Sequence, residues 1–206
     1  FNEYIKHDQM ISIKETFLSI QGEGYYAGQS AFFIRTQGCD IGCHWCDEPK
    51  SWSLDEGYKM SVNDLIKEVE KNHTKIVIFT GGEPLMHDLS VLSTQISNHG
   101  YQMHLETSGA YPLTGHWDWV TLSPKKIKPP LHDIYSIASE LKIVIYNQHD
   151  FEWALNQEKK VNDSCLLYLQ PEWSRLRKIQ PEIIDFISKN PRWKLSLQMH
   201  KYLNIQ

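Results

Sequence analysis

The feature that most constrains the fold is a regular alternation of short apolar segments with segments whose apolar residues have helical spacing. Lys75–Thr80 is almost entirely apolar and ends at Gly81-Gly82, a pattern typical of a buried parallel strand. Upstream, Ser61 is a predicted N-cap, and four apolar residues with helical spacing follow it: Val62, Leu65, Ile66 and Val69. Strands that alternate with helices predict right-handed βαβ units and a mostly parallel α/β sheet.

The same alternation continues on both sides of this unit. Further strands are predicted over Ile11–Ile20, Ser30–Thr36, Tyr101–Glu106, Trp119–Leu122, Glu140–Tyr146, Leu166–Gln170 and Lys194–Gln198. Further helices are predicted over Leu89–Asn98, Phe151–Gln157 and Pro181–Lys189. With 206 residues and no linker of biased composition, the chain fits a single domain spanning residues 1–206, and it is short for a full eight-unit barrel.

Charge and hydropathy exclude two classes of partner. Lysine and arginine number 21 against 25 aspartate and glutamate residues, a formal net charge of −4, so no basic footprint for nucleic acid is expected. The longest apolar runs are far shorter than a membrane span, so no membrane association is expected either. Phe1–Met10 is polar and lacks the profile of a signal peptide, and we therefore expect a cytoplasmic protein.

Polar motifs follow four of the predicted strands. They are Gln21–Gly24, Gly81–Pro84, Glu106–Gly109 and Ser123–Lys125. In parallel sheets, ligand-binding residues collect at the carboxyl ends of the strands, so we expect these motifs to form one site.

Three cysteines lie within eight residues, directly after the strand that ends at Thr36. Cys39, Cys43 and Cys46 form a CxxxCxxC motif. Three thiolates on one loop can bind three corners of a 4Fe–4S cluster and leave one iron open, as chelation by S-adenosylmethionine (SAM) requires. The alternative is a structural zinc site that adds His44 or another histidine, although no second pair of cysteines supports it. Cys165 is interpreted as a core residue.

The other motifs have both a functional and a structural interpretation. Glu83, after two glycines, can accept a hydrogen bond from an ammonium group, or it can belong to a simple strand-to-helix turn. Glu106 and Ser108 can bind a ribose, or their segment can be a capped turn. Ser123, Pro124 and Lys125 are candidates to hold the nucleoside part of SAM.

Arg35 interrupts an apolar strand, so its guanidinium needs a partner. That partner is either an internal carboxylate or an anionic substrate, and a substrate carboxylate is the preferred interpretation.

Taken together, CxxxCxxC, Gly-Gly-Glu-Pro, Glu-Thr-Ser-Gly and Ser-Pro-Lys resemble the motifs of the radical SAM superfamily. Three further segments resemble one branch of it, the 7-carboxy-7-deazaguanine synthase family: Ser19–Gly28, Phe33–Cys39 and Leu195–Leu203. The resemblance covers nearly the whole chain, and the joint match is far more specific than any single motif.

The resemblance implies an abbreviated, partial (β/α) barrel and a homodimer. It also implies conversion of 6-carboxy-5,6,7,8-tetrahydropterin to 7-carboxy-7-deazaguanine with release of ammonia, a step in the biosynthesis of queuosine and other 7-deazapurines. The electron donor would be a flavodoxin or a ferredoxin. The cluster ligands would be Cys39, Cys43 and Cys46. The SAM site would contain Trp45, Asp47, Gly82, Glu83, Glu106, Ser108, Ser123, Pro124, Lys125, Gln170, Pro171, Glu172 and Trp173. The pterin site would contain Ile20, Gln21, Gly22, Arg35, Thr80 and Gln206.

One position departs from the family pattern. Many relatives bind magnesium through a Thr or Ser two residues after the last cluster cysteine, whereas this chain has Glu48. A carboxylate is a stronger ligand for magnesium than a hydroxyl, so we expect magnesium to remain helpful, with Glu48 as its protein contact. The alternatives are that Glu48 points away from the ion or that its charge reduces the need for a metal.

Two other functions share part of the pattern. An activase that installs a glycyl radical on a partner protein also has CxxxCxxC and Gly-Gly-Glu-Pro, but it would not be expected to have the Gln21–Gly24 turn together with Arg35. The alternative that is not an enzyme is a zinc-stabilised binding module.

Overall fold

The fold was described from a computed structural model, which covers residues 9–206. Residues 1–8 lie outside the described part. The expected lack of a signal peptide rests on the polar segment Phe1–Met10, most of which therefore also lies outside the described residues. Within residues 9–206, no helix is both long and apolar enough to cross a membrane.

The described part of the chain forms one nine-stranded sheet. The strands are β1 (Met10–Ile20), β2 (Ser30–Thr36), β3 (Tyr58–Ser61), β4 (Ile76–Gly81), β5 (Gln102–Thr107), β6 (Trp119–Leu122), β7 (Glu140–Ile145), β8 (Leu166–Pro171) and β9 (Trp193–Leu195). The α-helices are α1 (Val62–Glu70), α2 (Ser90–Asn98), α3 (Ile134–Ile137), α4 (His149–Glu158), α5 (Leu176–Lys189) and α6 (Met199–Leu203). Short 3-10 turns lie at Pro49–Ser51, Pro84–Met86 and Trp173–Arg175.

The strand order is β3-β1-β2-β4-β5-β6-β7-β8-β9. Neighbours from β2 to β9 are parallel, whereas β1 pairs antiparallel with both β2 and β3. The first and last strands of the sheet do not pair, so the barrel stays open. The predicted α/β fold, an abbreviated partial barrel with a mostly parallel sheet, is confirmed.

The two faces of the sheet differ in chemistry because side chains alternate along each strand. On the convex face they are apolar and pack into the main core, with representatives Leu105, Leu122, Leu141, Ile143, Leu167 and Leu169. On the concave face of β5–β8 they are mostly polar: His104, Glu106, Thr121, Glu140, Lys142 and Gln170. A polar concave face cannot form an apolar barrel core, and this side of the sheet holds the candidate site.

Helix α1 forms as its sequence predicts. Ser61 has an extended backbone, and its Oγ accepts a hydrogen bond from Asp64 N at 3.1 Å, as an N-cap does. Val62, Leu65 and Val69 are buried, so the predicted face is the one that packs on the sheet.

Two predicted elements have wrong boundaries, and one strand was not predicted. Helix α5 begins at Leu176 rather than Pro181, because the turn before it runs directly into the helix and Ile179 and Ile183 bury one continuous stripe. The last strand covers Trp193–Leu195 rather than Lys194–Gln198, since the residues after Leu195 turn toward the concave face. Strand β3 was not predicted, because four mostly polar residues at an edge have no apolar alternation.

The Gln21–Gly24 motif is also placed differently from the expectation. It does follow a strand, but β1 is antiparallel to β2, and Ile20 pairs with Ser30 at the start of that strand. The motif therefore begins at the amino-terminal edge of the parallel strands and reaches the other motifs by folding across the concave face.

Candidate active site

A cavity of about 740 Å³ opens on the concave face. Its wall contains all three clustered cysteines and all six residues of the predicted pterin site. Most of the predicted SAM residues also line it: Trp45, Asp47, Gly82, Glu83, Glu106, Ser108, Ser123, Lys125 and Gln170. The other four do not line the wall: Pro124 and Pro171 are adjacent in sequence to lining residues, and Glu172 and Trp173 lie two and three residues after Gln170.

The cysteine loop is held in shape by its own backbone. Gly38 N donates to Ser51 O at 2.7 Å and Cys39 N donates to Trp52 O at 3.0 Å, which close the loop at its base. Gly42, with a φ of 68°, makes a tight turn between the first two cysteines. The indole Nε1 of Trp52 lies 3.3 Å from Cys46 Sγ.

The cysteine environment fits an iron–sulfur cluster better than a zinc ion. Burial raises the pKa of the Cys39 and Cys43 thiols, so these groups need a cationic partner to exist as thiolates. In residues 9–206, no three His, Cys, Asp or Glu side chains are arranged to hold a single metal ion. Zinc requires its ligands to converge on one point, whereas a cubane places each thiolate on a different iron.

The Gly-Gly-Glu-Pro motif is fastened to the base of the cysteine loop. Glu83 N donates to Gly38 O at 2.8 Å, and Gly82 N donates to Thr36 O at 3.1 Å. A Cβ on Gly82 would lie 2.2 Å from Gly38 O, so only glycine allows this approach of two backbones.

The carboxylate of Glu83 is fully engaged within the protein. It accepts hydrogen bonds from Leu85 N, from Thr107 Oγ1 at 2.5 Å, and from both the backbone N and the hydroxyl of Ser108. The hydroxyls of the Glu-Thr-Ser-Gly motif thus bind Glu83, which is the structural interpretation of that motif. Glu83 joins the ends of β4 and β5 and shapes the wall from behind.

Ser123, Lys125 and Trp45 form a small cationic corner of the cavity. Lys125 Nζ donates to Ser123 O at 2.6 Å and to its Oγ at 2.7 Å. The same ammonium lies 5.4 Å from the ring centroid of Trp45. Burial lowers the pKa of Lys125, although nearby Cys43 acts in the opposite direction.

Glu106 lies among the predicted pterin residues, and its predicted contact with a ribose stays a prediction. Its Oε1 accepts from Gln21 Nε2 at 2.8 Å, and its Oε2 accepts from Thr80 Oγ1 at 3.1 Å. The side-chain oxygen Oε1 of Gln21 accepts a hydrogen bond from Glu23 N at 3.1 Å. One carboxylate therefore orients two of the six predicted pterin residues.

Arg35 has an internal carboxylate partner, the alternative that the sequence left open. Its Nε donates to Glu15 Oε1 at 2.9 Å across the β1–β2 pair. The guanidinium also lies 5.5 Å from the ring centroid of Phe17. Within residues 9–206 no hydrogen bond engages its two terminal nitrogens, so they are available to a ligand carboxylate.

Sequence reasoning missed a buried ion pair on the cavity wall. Lys142 Nζ is paired with Glu23 Oε2, and their side chains are 7% and 13% exposed. Glu23 Oε1 also accepts from Gln170 Nε2 at 3.2 Å and Gln198 Nε2 at 3.0 Å. A signal was present, since Lys142 interrupts an apolar run that otherwise reads as a buried strand.

The segment after β9 was also missed as part of the site. Gln198 Nε2 and Lys201 Nζ donate to the two carboxylate oxygens of Asp47, at 2.8 and 2.5 Å. Met199 N donates to Gly22 O at 3.0 Å, and a Cβ on Gly22 would lie 2.4 Å from His200 Nδ1. This segment therefore ties the cysteine loop to the Gln21–Gly24 motif.

Glu48 is half-buried and lines the same cavity. Its backbone carbonyl accepts from Ser51 Oγ at 2.7 Å, but no hydrogen bond or ion pair among the described residues engages its carboxylate. The side chain is therefore available to a ligand or to a cation that a ligand brings.

Cys165 is a core residue, as predicted. It is 4% exposed beneath the helices, and burial raises its pKa to about 12.

Comparison with known proteins agrees with this geometry. The sequence profile of the radical SAM superfamily matches residues 33–154. A 7-carboxy-7-deazaguanine synthase of Flavobacterium psychrophilum is 48% identical over 201 residues, which are 98% of this chain and 95% of the relative. The chain belongs to the 7-carboxy-7-deazaguanine synthase family. Membership in this family of radical SAM enzymes implies a 4Fe–4S cluster and SAM as cofactors.

Two further comparisons extend the match. The enzyme of the same name from Synechocystis is 46% identical, over 94% of this chain and 93% of the relative. The crystal structure of QueE from Escherichia coli superposes with a TM-score of 0.84 at 29% identity, covering 96% of this chain and 97% of that chain. The resemblance inferred from the motifs is confirmed along nearly the full length.

Proposed function

We propose that this protein converts 6-carboxy-5,6,7,8-tetrahydropterin to 7-carboxy-7-deazaguanine and releases ammonia, in the biosynthesis of queuosine and other 7-deazapurines. The observation that carries the proposal is one cavity that contains both the cysteine triad and the six predicted pterin residues. Its volume lies in the usual range of small-molecule sites, roughly 300–1,000 Å³.

The cofactor half of the cavity follows from the residues around the cysteine loop. We assign Cys39, Cys43 and Cys46 to the cluster and the corner formed by Trp45, Ser123 and Lys125 to SAM. When bound, the two cofactors would supply one-electron reductive cleavage of SAM and hydrogen abstraction from the pterin, with the electron coming from the external reductant. Glu83 contributes indirectly, because it fixes the backbone of the loops around this half.

The substrate half follows from the polar concave face. The terminal nitrogens of Arg35 are suited to a carboxylate, which a guanidinium binds in bidentate fashion. Gln21, Thr80 and Glu106 form a connected set of donors and acceptors that matches the polar edge of a pterin.

The test is an anaerobic incubation of the reconstituted protein with SAM, a reductant and the tetrahydropterin. We expect 5′-deoxyadenosine and 7-carboxy-7-deazaguanine to accumulate together. Formation of 5′-deoxyadenosine alone would reject this branch of the superfamily, and dependence on a protein partner would favour the activase. Colourless protein with stoichiometric zinc would reject the cluster.

The cysteines offer a matched control within the same chain. Cys43→Ala removes a thiol from the cavity wall and is expected to abolish cluster binding and turnover. Cys165→Ala removes a buried thiol in the core, away from the cavity, and is expected to retain both. Equal loss in the two variants would show that the assay reports folding rather than ligation.

We further propose that magnesium binds between the substrate carboxylate and Glu48, whose carboxylate is otherwise unengaged. Oxygen ligands suit this ion, which keeps several waters when the protein supplies few ligands. Turnover with and without magnesium, in the wild type and in Glu48→Thr, tests the assignment. An identical magnesium response in both proteins would contradict it.

The family resemblance also supports a homodimer reduced by a flavodoxin or ferredoxin. Several large apolar side chains near the end of the chain are exposed, as expected of a surface that a second subunit covers: Leu195, Leu197, Tyr202, Leu203 and Ile205. Light scattering of the reconstituted protein, together with turnover assays that compare the two donors, would test both points.

A further inference from the structure

Glu15 connects two residues that the proposed function places at the pterin. Its Oε1 accepts from Arg35 Nε at 2.9 Å, and its Oε2 accepts from Gln206 Nε2 at 2.8 Å. Gln206 is held a second time, because its backbone oxygen accepts from Ser19 Oγ at 2.6 Å. We propose that Glu15 is a positioning residue of the substrate site, an inference that rests on the proposed function.

The geometry explains how Glu15 acts through Arg35. A guanidinium has five N–H donors in a fixed plane, so engaging Nε determines where the two terminal nitrogens point. The ring of Phe17, stacked on Phe33 at 5.0 Å, packs against the same guanidinium. With Nε and one side of the plane occupied, the terminal nitrogens are the part of Arg35 left for a ligand carboxylate.

The same carboxylate sets the position of the chain near Gln206. Ile205 and Gln206 line the cavity, and β1 is the strand they rest on. Because both oxygens of Glu15 are used, orientation of Arg35 and placement of this wall depend on one side chain.

A purely structural role is separable by experiment. The Arg35 and Glu15 side chains are 22% and 30% exposed, and ion pairs at such exposure contribute little to stability. Loss of the pair is therefore expected to change substrate binding far more than folding.

Steady-state kinetics of Glu15→Gln provide the test. We expect KM for the pterin to rise at least about ten-fold, equivalent to about 1.4 kcal/mol, with KM for SAM, cluster absorbance and Tm unchanged. Gln206→Ala is expected to give a smaller rise, and adding it to Glu15→Gln is expected to have little further effect. Glu68→Gln is the matched control, since it removes a surface ion pair with Lys71 far from the cavity.

The outcomes separate this inference from the proposed function. Wild-type turnover with an unchanged pterin KM in Glu15→Gln would overturn the role of Glu15 alone. A parallel rise in both KM values would indicate general disruption and would also overturn it. Failure of the wild type to bind or convert the pterin would overturn the proposed function and this inference together.

A different observation carries a second inference. His104 is 2% exposed, and its Nε2 has no hydrogen-bond partner within the described part of the chain. It faces a void of about 10 Å³ that is walled by polar groups, including Glu106, Thr121 and Glu140. The geometry points to a binding site for one water molecule behind the wall of the main cavity.

Water fits this void in both size and chemistry. A void of about 10–15 Å³ is the minimum for one water, which also needs two to four polar partners. Burial lowers the pKa of His104 to about 4, so the neutral ring presents either a donor or an acceptor at Nε2. Water satisfies either tautomer, whereas an ammonium ion satisfies only the acceptor.

A crystal structure of the wild type that resolves ordered water tests the site. We expect one density peak within hydrogen-bond distance of His104 Nε2 and of Glu106 or Glu140. An empty void, or a side chain filling it, would overturn the inference. In His104→Leu the peak is expected to disappear while neighbouring buried waters remain.

Discussion

Replacing Lys142 by methionine tests whether the buried pair with Glu23 holds the cavity wall together. Methionine retains most of the volume and removes the charge, so Glu23 is left with only the amides of Gln170 and Gln198. Removing one partner of a buried ion pair costs about 3–5 kcal/mol. For a chain of this size we expect Tm to fall by about 6–20 °C.

Substituting the partner Glu23 is expected to destabilise the protein less than Lys142→Met does. In Glu23→Gln, Lys142 keeps two other carboxylates nearby, Glu106 and Glu140, which also favour its charged form. In the double variant Lys142→Met with Glu23→Gln the Glu23 carboxylate is no longer left unpaired, so part of the stability should return, while Glu106 and Glu140 still lose the nearby ammonium. Unfolding free energies from denaturant titration of all four proteins form a double-mutant cycle.

The loss of stability in Lys142→Met should also depend on pH in a defined direction. In the wild type, the interaction with Lys142 overcomes burial and holds the pKa of Glu23 well below its usual range. The stability from this group is therefore present above the unfolded pKa of about 4.3 and is lost only as pH falls below it.

In Lys142→Met, burial acts without the ammonium and raises the pKa of Glu23 above its unfolded value. The penalty is then largest above this raised pKa and shrinks as pH falls through it toward the unfolded value of about 4.3, because Glu23 becomes protonated. A gap between wild type and variant that stays constant over this range would refute the reasoning. So would a loss of less than about 1 kcal/mol, the contribution of an exposed pair.

Three further substitutions test the loops and the substrate half. Gly82→Ala places a Cβ 2.2 Å from Gly38 O, and we expect a loss of about 1–3 kcal/mol in denaturant titration together with reduced iron content. Glu83→Gln turns an amide toward the donors of Thr107 and Ser108 and should lower the free energy of unfolding by about 1–3 kcal/mol. A denaturation midpoint equal to that of the wild type would contradict this expectation. Arg35→Lys should raise the pterin KM without changing the SAM KM, and equal changes in both would exclude a substrate contact.

Much of the fold was predictable because local pattern and tertiary environment agree. Ile76–Phe79 is apolar on both faces because Val77 and Phe79 pack in the main core and Ile76 and Ile78 in a second apolar cluster, and β4 forms within one residue of the prediction. Ser61 caps α1 through a bond to a residue three positions on, which is a local signal. Strand β3 and helix α6 were missed because the first is polar and the second contains only five residues.

The candidate site was predictable where its chemistry lies in short motifs. The cysteines, Thr80, Ser123 and Lys125 all line one cavity. Glu15 and Lys142 were not found, since their roles depend on which strands pair and which face each residue takes. Glu83 was placed correctly, but only the structure shows that four protein donors already occupy its carboxylate.

The open barrel has a consequence for how large ligands enter. Within residues 9–206, β9 pairs only with β8, and the segment that follows β9 reaches the β1 side through a few separate contacts, such as Met199 N to Gly22 O and Gln206 to Glu15. Each such bond contributes about 1 kcal/mol net, so separating them is inexpensive compared with unzipping a strand. These contacts can therefore separate while the parallel strands stay paired. A nucleoside and a bicyclic substrate could then enter the cavity without disturbing the sheet that aligns them.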